Sequence, residues 1–183
     1  MCLCLASSLH GWAQVDISAY FLENHGFDTK FNYDARQTGN VSGDVINEVY
    51  GWTNETMATY TVAGTFAYNP EVTFNNSSAL PASGYEGSEG GALGLTTGWG
   101  MQLVYSQSVT LPKGTYRLSS AYYNVGTSGA GNSLLAWLPD NGTATVSDVK
   151  NFPVKSWKTD ELIFTLTAQT TGKIRIGFAA NEG

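Results

Sequence analysis

The chain has 183 residues, of which 42% are hydrophobic and only 13% are charged, and its formal net charge is −6. This length suits one domain with its own hydrophobic core, and the composition excludes an intrinsically disordered chain. Up to Pro112 there are ten acidic residues against two basic ones, so this half cannot neutralise a phosphate backbone. We therefore expect neither a nucleic acid nor an anionic membrane surface as a partner. No apolar stretch has the length that membrane insertion requires.

Residues 1–13 are typical of a secretory signal peptide. An apolar run, Cys2 to Leu9, is followed by Gly11-Trp12-Ala13, which places small residues at the −3 and −1 positions of a cleavage site. The segment lacks a positively charged start, so the alternative is a buried N-terminal strand. Both cysteines lie in this segment. We expect cleavage after Ala13 to leave a cysteine-free domain, residues 14–183, that is secreted or displayed at the cell surface.

The chain from Val15 onward predicts β strands joined by turns. Met57 to Tyr68 is rich in Thr, Tyr and Val, and Ala92 to Leu95 predicts a short strand after a glycine-rich loop. Only Gly43 to Tyr50 is compatible with a short helix.

A hairpin between residues 101 and 123 is the clearest local prediction. Apolar and polar residues alternate on both sides of the turn 111–114, where Pro112 sets φ and Gly114 can take a positive φ. In the second strand we expect Tyr116, Leu118 and Tyr122 to face the core, with Tyr123 on the opposite side.

Three more strands are predicted downstream. One is Ser133 to Leu138, and two others have buried faces, before and after a turn at Thr171-Gly172; the residues of those faces are Leu162, Phe164 and Leu166, then Ile174, Ile176 and Phe178. Short strands without alternating helices predict an antiparallel β-sandwich of the jelly-roll type. Because the last strand is followed directly by residues 181–183, we expect a closing strand beyond the given sequence.

Several elements occur in an order that is informative. Asn24-His25-Gly26-Phe27-Asp28 has the form N-x-G-F-[DE], Gly51-Trp52 follows it, and later come the strand Gly90 to Leu95 and the run Ser108 to Leu118. This order resembles the galactose-binding-domain-like β-sandwiches that serve as carbohydrate-binding modules in secreted Bacteroidetes-type proteins, and the resemblance spans residues 15–180. It implies a non-catalytic carbohydrate-binding domain attached to further domains. The Asp-bearing closing strand of that family is absent from this sequence.

The same resemblance implies a structural calcium ion near the first motif. Asp28 matches the position of the acidic ligand, and Asn24 could add a carbonyl oxygen, which suits the oxygen ligands that Ca²⁺ prefers. The alternative is that Asp28 only caps a turn by accepting hydrogen bonds from nearby amides.

Exposed aromatic residues are the candidates for binding a sugar, because the C–H faces of sugars lie flat on indole and phenol rings while neighbouring polar groups bind the hydroxyls. Trp99 and Tyr85 each lie in a glycine-containing loop, and Tyr123 faces away from the predicted core. The candidate ligand-binding residues are Trp99, Tyr85, Tyr123, Asn124 and Glu86. The alternative for any aromatic residue is core packing, which we expect for Trp52, Trp137 and Trp157.

Catalysis has little support in the sequence. His10 lies in the predicted leader, His25 stands alone in a loop, and the processed domain has no cysteine. Glycoside hydrolysis needs two carboxylates, for which only Glu86 and Glu89 lie close together, in a loop that we expect to be solvated. We therefore expect a protein that is not an enzyme. The rival interpretations are a structural or protein-interaction sandwich without a sugar site and, with less support, a glycoside hydrolase.

Overall fold

A computed structural model describes residues 3–8, 15–29, 39–41, 45–46, 49–55, 62–67, 72–74, 81–96, 103–125, 132–147 and 153–179. These residues form mostly β strands, as the sequence predicts. The strands are β1 Leu3–Ser8, β2 Val15–Asp16, β3 Gly39–Val41, β4 Val45–Ile46, β5 Thr53–Asn54, β6 Val62–Ala67, β7 Val72–Phe74, β8 Gly91–Thr96, β9 Leu103–Leu111, β10 Gly114–Tyr123, β11 Asn132–Pro139, β12 Thr145–Ser147, β13 Trp157–Leu166 and β14 Thr170–Ala179. One short helix, α1, spans Ser18–Phe21, and a 3₁₀ turn spans Tyr85–Gly87. None of the helices in the described ranges is long and apolar enough to cross a membrane.

Two antiparallel sheets make up the sandwich. The four-stranded sheet has the order β13-β10-β1-β2, and the five-stranded sheet has the order β12-β11-β14-β9-β5. Two small sheets, β3-β7 and β4-β6-β8, accompany them. In the five-stranded sheet β14 lies so close to β9 at Gly177 that an added Cβ atom there would collide with the carbonyl oxygen of Leu103. This close approach explains a glycine within the strand.

The hydrophobic core lies between the two main sheets. Trp137 of β11 and Phe164 of β13 stack with ring centroids 5.1 Å apart and nearly parallel planes, so the two sheets are in direct contact. The buried residues of the inward faces include Leu103, Tyr105, Val109 and Leu111 of β9, Tyr116 and Leu118 of β10, Leu162, Phe164 and Leu166 of β13, and Ile174 and Ile176 of β14. The predicted alternation is regular in β13, whereas in β9 the intervening Val104 and Ser106 are buried as well. Ile163, between two of these, is 64% exposed, as strand periodicity requires. The all-β sandwich class is therefore confirmed.

One acidic residue lies inside the sandwich. Asp160 of β13 is buried and accepts hydrogen bonds from the hydroxyls of Ser133 on β11, at 3.0 Å, and of Ser147 on β12. Burial raises the pKa of the neighbouring Tyr122 phenol far above its usual value, and the negative charge of Asp160 adds to this effect. These hydrogen bonds link the edge strand β13 of the four-stranded sheet to the edge strand β12 of the other sheet and to its neighbour β11.

Two local predictions were wrong. The region compatible with a helix, residues 43–50, contains the strand β4, which pairs in parallel with β6. The predicted turn at Thr171-Gly172 lies inside β14, opposite Thr110 and Val109 of β9, and the chain turns earlier, between Leu166 and Thr170. Both errors arise because strand pairing with distant residues outweighs weak local preferences.

The predicted leader contributes a strand to the four-stranded sheet. Residues Leu3 to Ser8 pair antiparallel with β10, from Ser120 back to Thr115, and two residues of β2 pair with the other side of β1. A strand in this segment agrees with the alternative interpretation of residues 1–13, while the burial of its side chains lies outside what the structure describes. The signal peptide remains a prediction, and its removal would leave β10 with one neighbour over these six positions.

Candidate functional site

Three aromatic side chains from separate parts of the chain meet at the surface. The ring of Tyr123, at the end of β10, lies 5.3 Å from the ring of Trp157, at the start of β13, with their planes tilted by 57°. The ring of Tyr85, in the loop before β8, lies 6.5 Å from Trp157 in an edge-to-face arrangement. We call Tyr85, Tyr123 and Trp157 the aromatic cluster. It joins two of the predicted ligand-binding residues through a third ring that the prediction had assigned to the core.

The strand ladder fixes two of these rings side by side. Tyr123 and Trp157 are directly opposite each other in the antiparallel pair β10–β13, so both side chains emerge on the same face. Tyr122, one position earlier, is directed towards the interior, so Tyr123 faces outward, as predicted. Trp157 has the same strand parity as the exposed Ile163, and it is half-buried rather than part of the core cluster. The prediction that Trp157 is a core residue was wrong, whereas Trp52 and Trp137 are buried as expected.

The loop that carries Tyr85 is tied to itself by backbone hydrogen bonds. The amide of Gly84 donates to the carbonyl of Ser88 at 2.8 Å, and the amide of Ser88 donates to the carbonyl of Tyr85 at 3.1 Å. Glu86 sits between them in the left-handed region, with φ +53°, a conformation that few residues other than glycine adopt. The loop therefore has a defined shape, and it holds Tyr85, 36% exposed, against Trp157.

Glu86 supplies a carboxylate beside the cluster. The charge of Glu86, followed by a hydrogen bond between the two side chains, raises the pKa of the Tyr85 phenol above its usual value. The Glu86 side chain is exposed, so its oxygens can also accept hydrogen bonds from hydroxyl groups of a ligand. Apolar rings with an adjacent acceptor have the composition that a sugar site needs.

Asn124 continues β10 beyond the cluster. It forms an isolated parallel bridge with Val154, and its carbonyl accepts a hydrogen bond of 2.8 Å from the amide of Lys155. Lys155 has a positive φ of +54°, so the chain turns sharply here before β13. This turn places the half-buried Asn124 next to the segment that leads into Trp157. Trp99, the remaining predicted binding residue, lies outside the described residues.

The first sequence motif, Asn24 to Asp28, packs against the second, Gly51-Trp52. Asn24 and Phe27 both have positive φ angles, +50° and +55°, and Phe27 is fully buried with its ring 5.4 Å from that of Trp52. The indole nitrogen of Trp52 donates to the carbonyl of Asn24 at 3.3 Å, and the side-chain amide of Asn24 donates to the carbonyl of Tyr50 at 3.0 Å. The turn from Tyr50 to Trp52 requires a glycine at position 51, where φ is +79° and an added Cβ would lie 3.1 Å from Glu23. The two motifs are therefore one packed unit.

This unit is a poor fit to the calcium site that the family resemblance implies. The main-chain carbonyl of Asn24 already accepts two hydrogen bonds, from the amide of Phe27 and from Trp52, and its side-chain oxygen accepts one from the amide of Thr29 at 3.0 Å. Asp28 is exposed, and its carboxylate accepts a hydrogen bond of 3.3 Å from the Thr29 hydroxyl. No three His, Cys, Asp or Glu side chains gather in a metal-binding arrangement within the described ranges. Within the described residues, the oxygens of Asn24 already serve the fold and Asp28 offers one carboxylate to the many oxygens that Ca²⁺ requires, so the calcium ion remains a prediction.

Sequence reasoning missed two features of these loops. Gln107 of β9 has the parity of the buried residues around it, yet it bonds both motif loops: its side-chain nitrogen donates to the carbonyls of Glu23 and Gly51. Trp157 could have been found, because extending the alternation of Leu162, Phe164 and Leu166 backwards along the strand places it on the outward face. The role of Gln107 has no such local signal, since its partners lie 56 and 84 positions away.

No protein-family model matches this chain, and no curated protein matches it. The likeness to galactose-binding-domain-like modules therefore rests on the motifs quoted above, and the aromatic cluster is the feature of the structure that bears on function. Its three rings come from the end of β10, the start of β13 and the loop before β8.

Proposed function

We propose that this protein is a non-catalytic carbohydrate-binding domain of a secreted or cell-surface protein, built on a galactose-binding-domain-like sandwich of the jelly-roll type. The observation that supports this proposal is the aromatic cluster on the outward face of the four-stranded sheet. Two of its rings were selected from the sequence as sugar-binding residues, and they contact the same indole. The exposed Glu86 directly follows Tyr85 in its turn, and the half-buried Asn124 directly follows Tyr123 at the end of β10.

The physical basis of binding is stacking supplemented by hydrogen bonds. A sugar that covers the exposed parts of Trp157 and Tyr123 removes apolar ring surface and apolar C–H groups from water together. The carboxylate of Glu86 accepts hydrogen bonds from sugar hydroxyls, which fixes the orientation of the ring. Because the rings are already held by the ladder and by the loop, little conformational freedom is lost on binding.

Affinity gel electrophoresis and glycan arrays test the proposal. The wild-type protein should be retained by at least one plant, host or microbial polysaccharide, and Trp157→Ala should weaken that binding about tenfold or more, since roughly 1.4 kcal/mol of lost stacking corresponds to a factor of ten. Tyr20→Ala is the matched control, because Tyr20 is an aromatic residue of α1 that is 84% exposed and does not belong to the cluster. A folded wild-type protein that binds no glycan, or a Trp157→Ala variant with unchanged retention, would contradict the proposal.

A structural or protein-interaction domain is the second candidate. It is favoured by the ring geometry: the planes in the cluster are tilted by 57° and 70° to each other, so they do not form one flat platform, and rings packed this way also cover the surface beneath a loop. In that case Trp157→Ala would lower the free energy of unfolding and leave no glycan interaction to lose. Denaturation measured beside the binding assay separates the two candidates.

A further inference from the structure

The outward face of the four-stranded sheet continues beyond the aromatic cluster along β10 and β13. Going away from the pair Tyr123–Trp157, the opposed pairs on this face are Ala121–Thr159, Ser119–Glu161 and Arg117–Ile163. Residues at alternate positions share a face, so these four pairs form one continuous row. Six residue steps separate Trp157 from Ile163, which corresponds to about 20 Å at roughly 3.3 Å per residue.

The exposed positions of this row lie on β13, the edge strand of the sheet. Thr159, Glu161 and Ile163 are exposed, whereas Ser119 of β10 is half-buried and Ala121 is buried. One end of the row carries the rings of the cluster, and the other carries Ile163, which is 64% exposed. An elongated molecule that lies along the row would therefore contact mainly the outward side chains of β13.

The far end also has the chemistry that a sugar hydroxyl and a sugar C–H face require. The Nη1 atom of Arg117 lies 3.6 Å from Oε1 of Glu161, which is close enough for an ion pair but longer than a good hydrogen bond. The Nε atom of Arg117 is buried and has no hydrogen-bond partner among the described residues, so it is out of reach of a ligand. The Arg117 side chain as a whole is 37% exposed, so the terminal nitrogens of the guanidinium group supply the donors, and Ile163 in the opposed position presents an apolar surface.

The charges on this row favour a neutral ligand. Arg117 and Glu161 are opposite charges that face each other, and their side chains are 37% and 52% exposed. Glu86 adds a negative charge at the aromatic end, which opposes the binding of an acidic polymer. Uncharged chains meet none of this opposition.

We propose that this face binds a neutral polysaccharide lengthwise, with one part of the chain on the aromatic cluster and a more distant part on Arg117 and Ile163. This inference rests on the proposed function and specifies its ligand class: internal segments of a linear glycan, rather than a single terminal sugar. The consequence is an affinity that depends on chain length, because each further sugar ring along the row adds contacts.

Calorimetric titration with cello-, xylo- and manno-oligosaccharides of one to six units tests this inference on the full chain. For the series that binds, the affinity should rise by at least tenfold between the shortest ligand with measurable binding and the hexamer. Ile163→Ala should weaken hexamer binding three- to tenfold and leave disaccharide binding unchanged, whereas Trp157→Ala should weaken both. Arg117→Lys, which keeps the charge and loses the planar set of donors, should act like Ile163→Ala.

Val146→Ala is the control, because Val146 on β12 is also exposed but belongs to the other sheet. Equal affinities for short and long ligands, together with sensitivity to Trp157→Ala, would overturn the lengthwise inference and leave the sugar-binding proposal intact. Binding that is insensitive to Ile163→Ala and Arg117→Lys at every length would also overturn it. If the folded protein binds none of the oligosaccharides and no glycan on the array, both proposals fail, and the protein-interaction candidate takes their place.

Discussion

Gln107 offers the sharpest test of how the motif loops are held to the sandwich. The amide of Glu23 donates to its Oε1 at 2.7 Å, while its Nε2 donates to the carbonyls of Glu23, at 3.0 Å, and of Gly51, at 2.6 Å. One side chain on β9 thus joins the segment before the first motif to the turn of the second. We expect Gln107→Ala to lower the free energy of unfolding by about 2 kcal/mol, because three hydrogen bonds at roughly 0.5–1.5 kcal/mol each are lost and water replaces the more exposed ones in part.

Gln107→Glu is a stricter version of the same experiment. The new side chain has the same shape and still accepts the hydrogen bond from Glu23, but its carboxylate cannot donate to the two carbonyl oxygens and places a negative charge beside them. The folded protein therefore disfavours the ionised form, and the pKa of this carboxyl is raised above its unfolded value. The destabilisation is full at neutral pH and diminishes as the pH falls through the raised pKa, where the protonated acid can donate to one of the carbonyls.

Urea denaturation followed by tryptophan fluorescence measures both variants, since the chain has five tryptophans. Ser108→Ala is the matched control, because Ser108 is the next residue of β9 and is exposed on the opposite side. The reasoning is refuted if Gln107→Ala is as stable as Ser108→Ala, or if the stability of Gln107→Glu relative to wild type does not recover on acidification.

Two further predictions concern Glu55, which is bonded to Lys173 and Arg175 of β14, and the predicted leader. Burial alone would raise the pKa of Glu55, but hydrogen bonds from Lys173 at 2.8 Å, from Ser106 and from Arg175 outweigh burial and lower it. Glu55→Gln should therefore be less stable than wild type at pH 7. Urea denaturation at several pH values should show this difference in stability shrinking as the pH falls below about 4.5, the ordinary pKa of a glutamate, and through the lowered pKa. Cleavage after Ala13 removes β1, so hydrogen exchange followed by mass spectrometry should find the amides of β10 that bond to β1 less protected in the processed protein than in a chain that keeps residues 1–13, and equal protection would contradict this.

The strands that could be predicted are those whose own residues carry the full signal. Leu162, Phe164 and Leu166 are buried while Ile163 is exposed, and the turn at Pro112-Lys113 joins β9 to β10. In both cases the information is local: alternation determines the faces of a strand, and proline favours a turn. The positive φ expected at Gly114 was wrong, because Gly114 is the first residue of β10 and is not among the glycines with a positive φ. The short parallel pairing of β4 with β6 was not predicted, because a two-residue strand has no periodicity of its own.

The candidate site could be predicted in part. Tyr85 and Tyr123 were selected because no core role was evident for them, and the structure brings both rings to Trp157. That they meet depends on the register of β10 with β13 and on the path of the loop before β8, neither of which is encoded near those residues. Trp157 itself was assigned to the core because tryptophan is usually well buried, and here strand parity was the better guide.

The division of the cluster between sheet and loop has a consequence for specificity. Tyr123 and Trp157 are positioned by a ladder that also holds the core, so changes to the backbone there would disturb the whole sandwich. Tyr85 and Glu86 lie in a surface turn whose hydrogen bonds are internal to residues 84–88, so this turn can change its side chains without disturbing the sheets. If the protein binds glycans, the sheet supplies the constant stacking surface and the loop supplies the selectivity. Exchanging Glu86 should therefore alter which sugar is bound before it alters how stable the protein is.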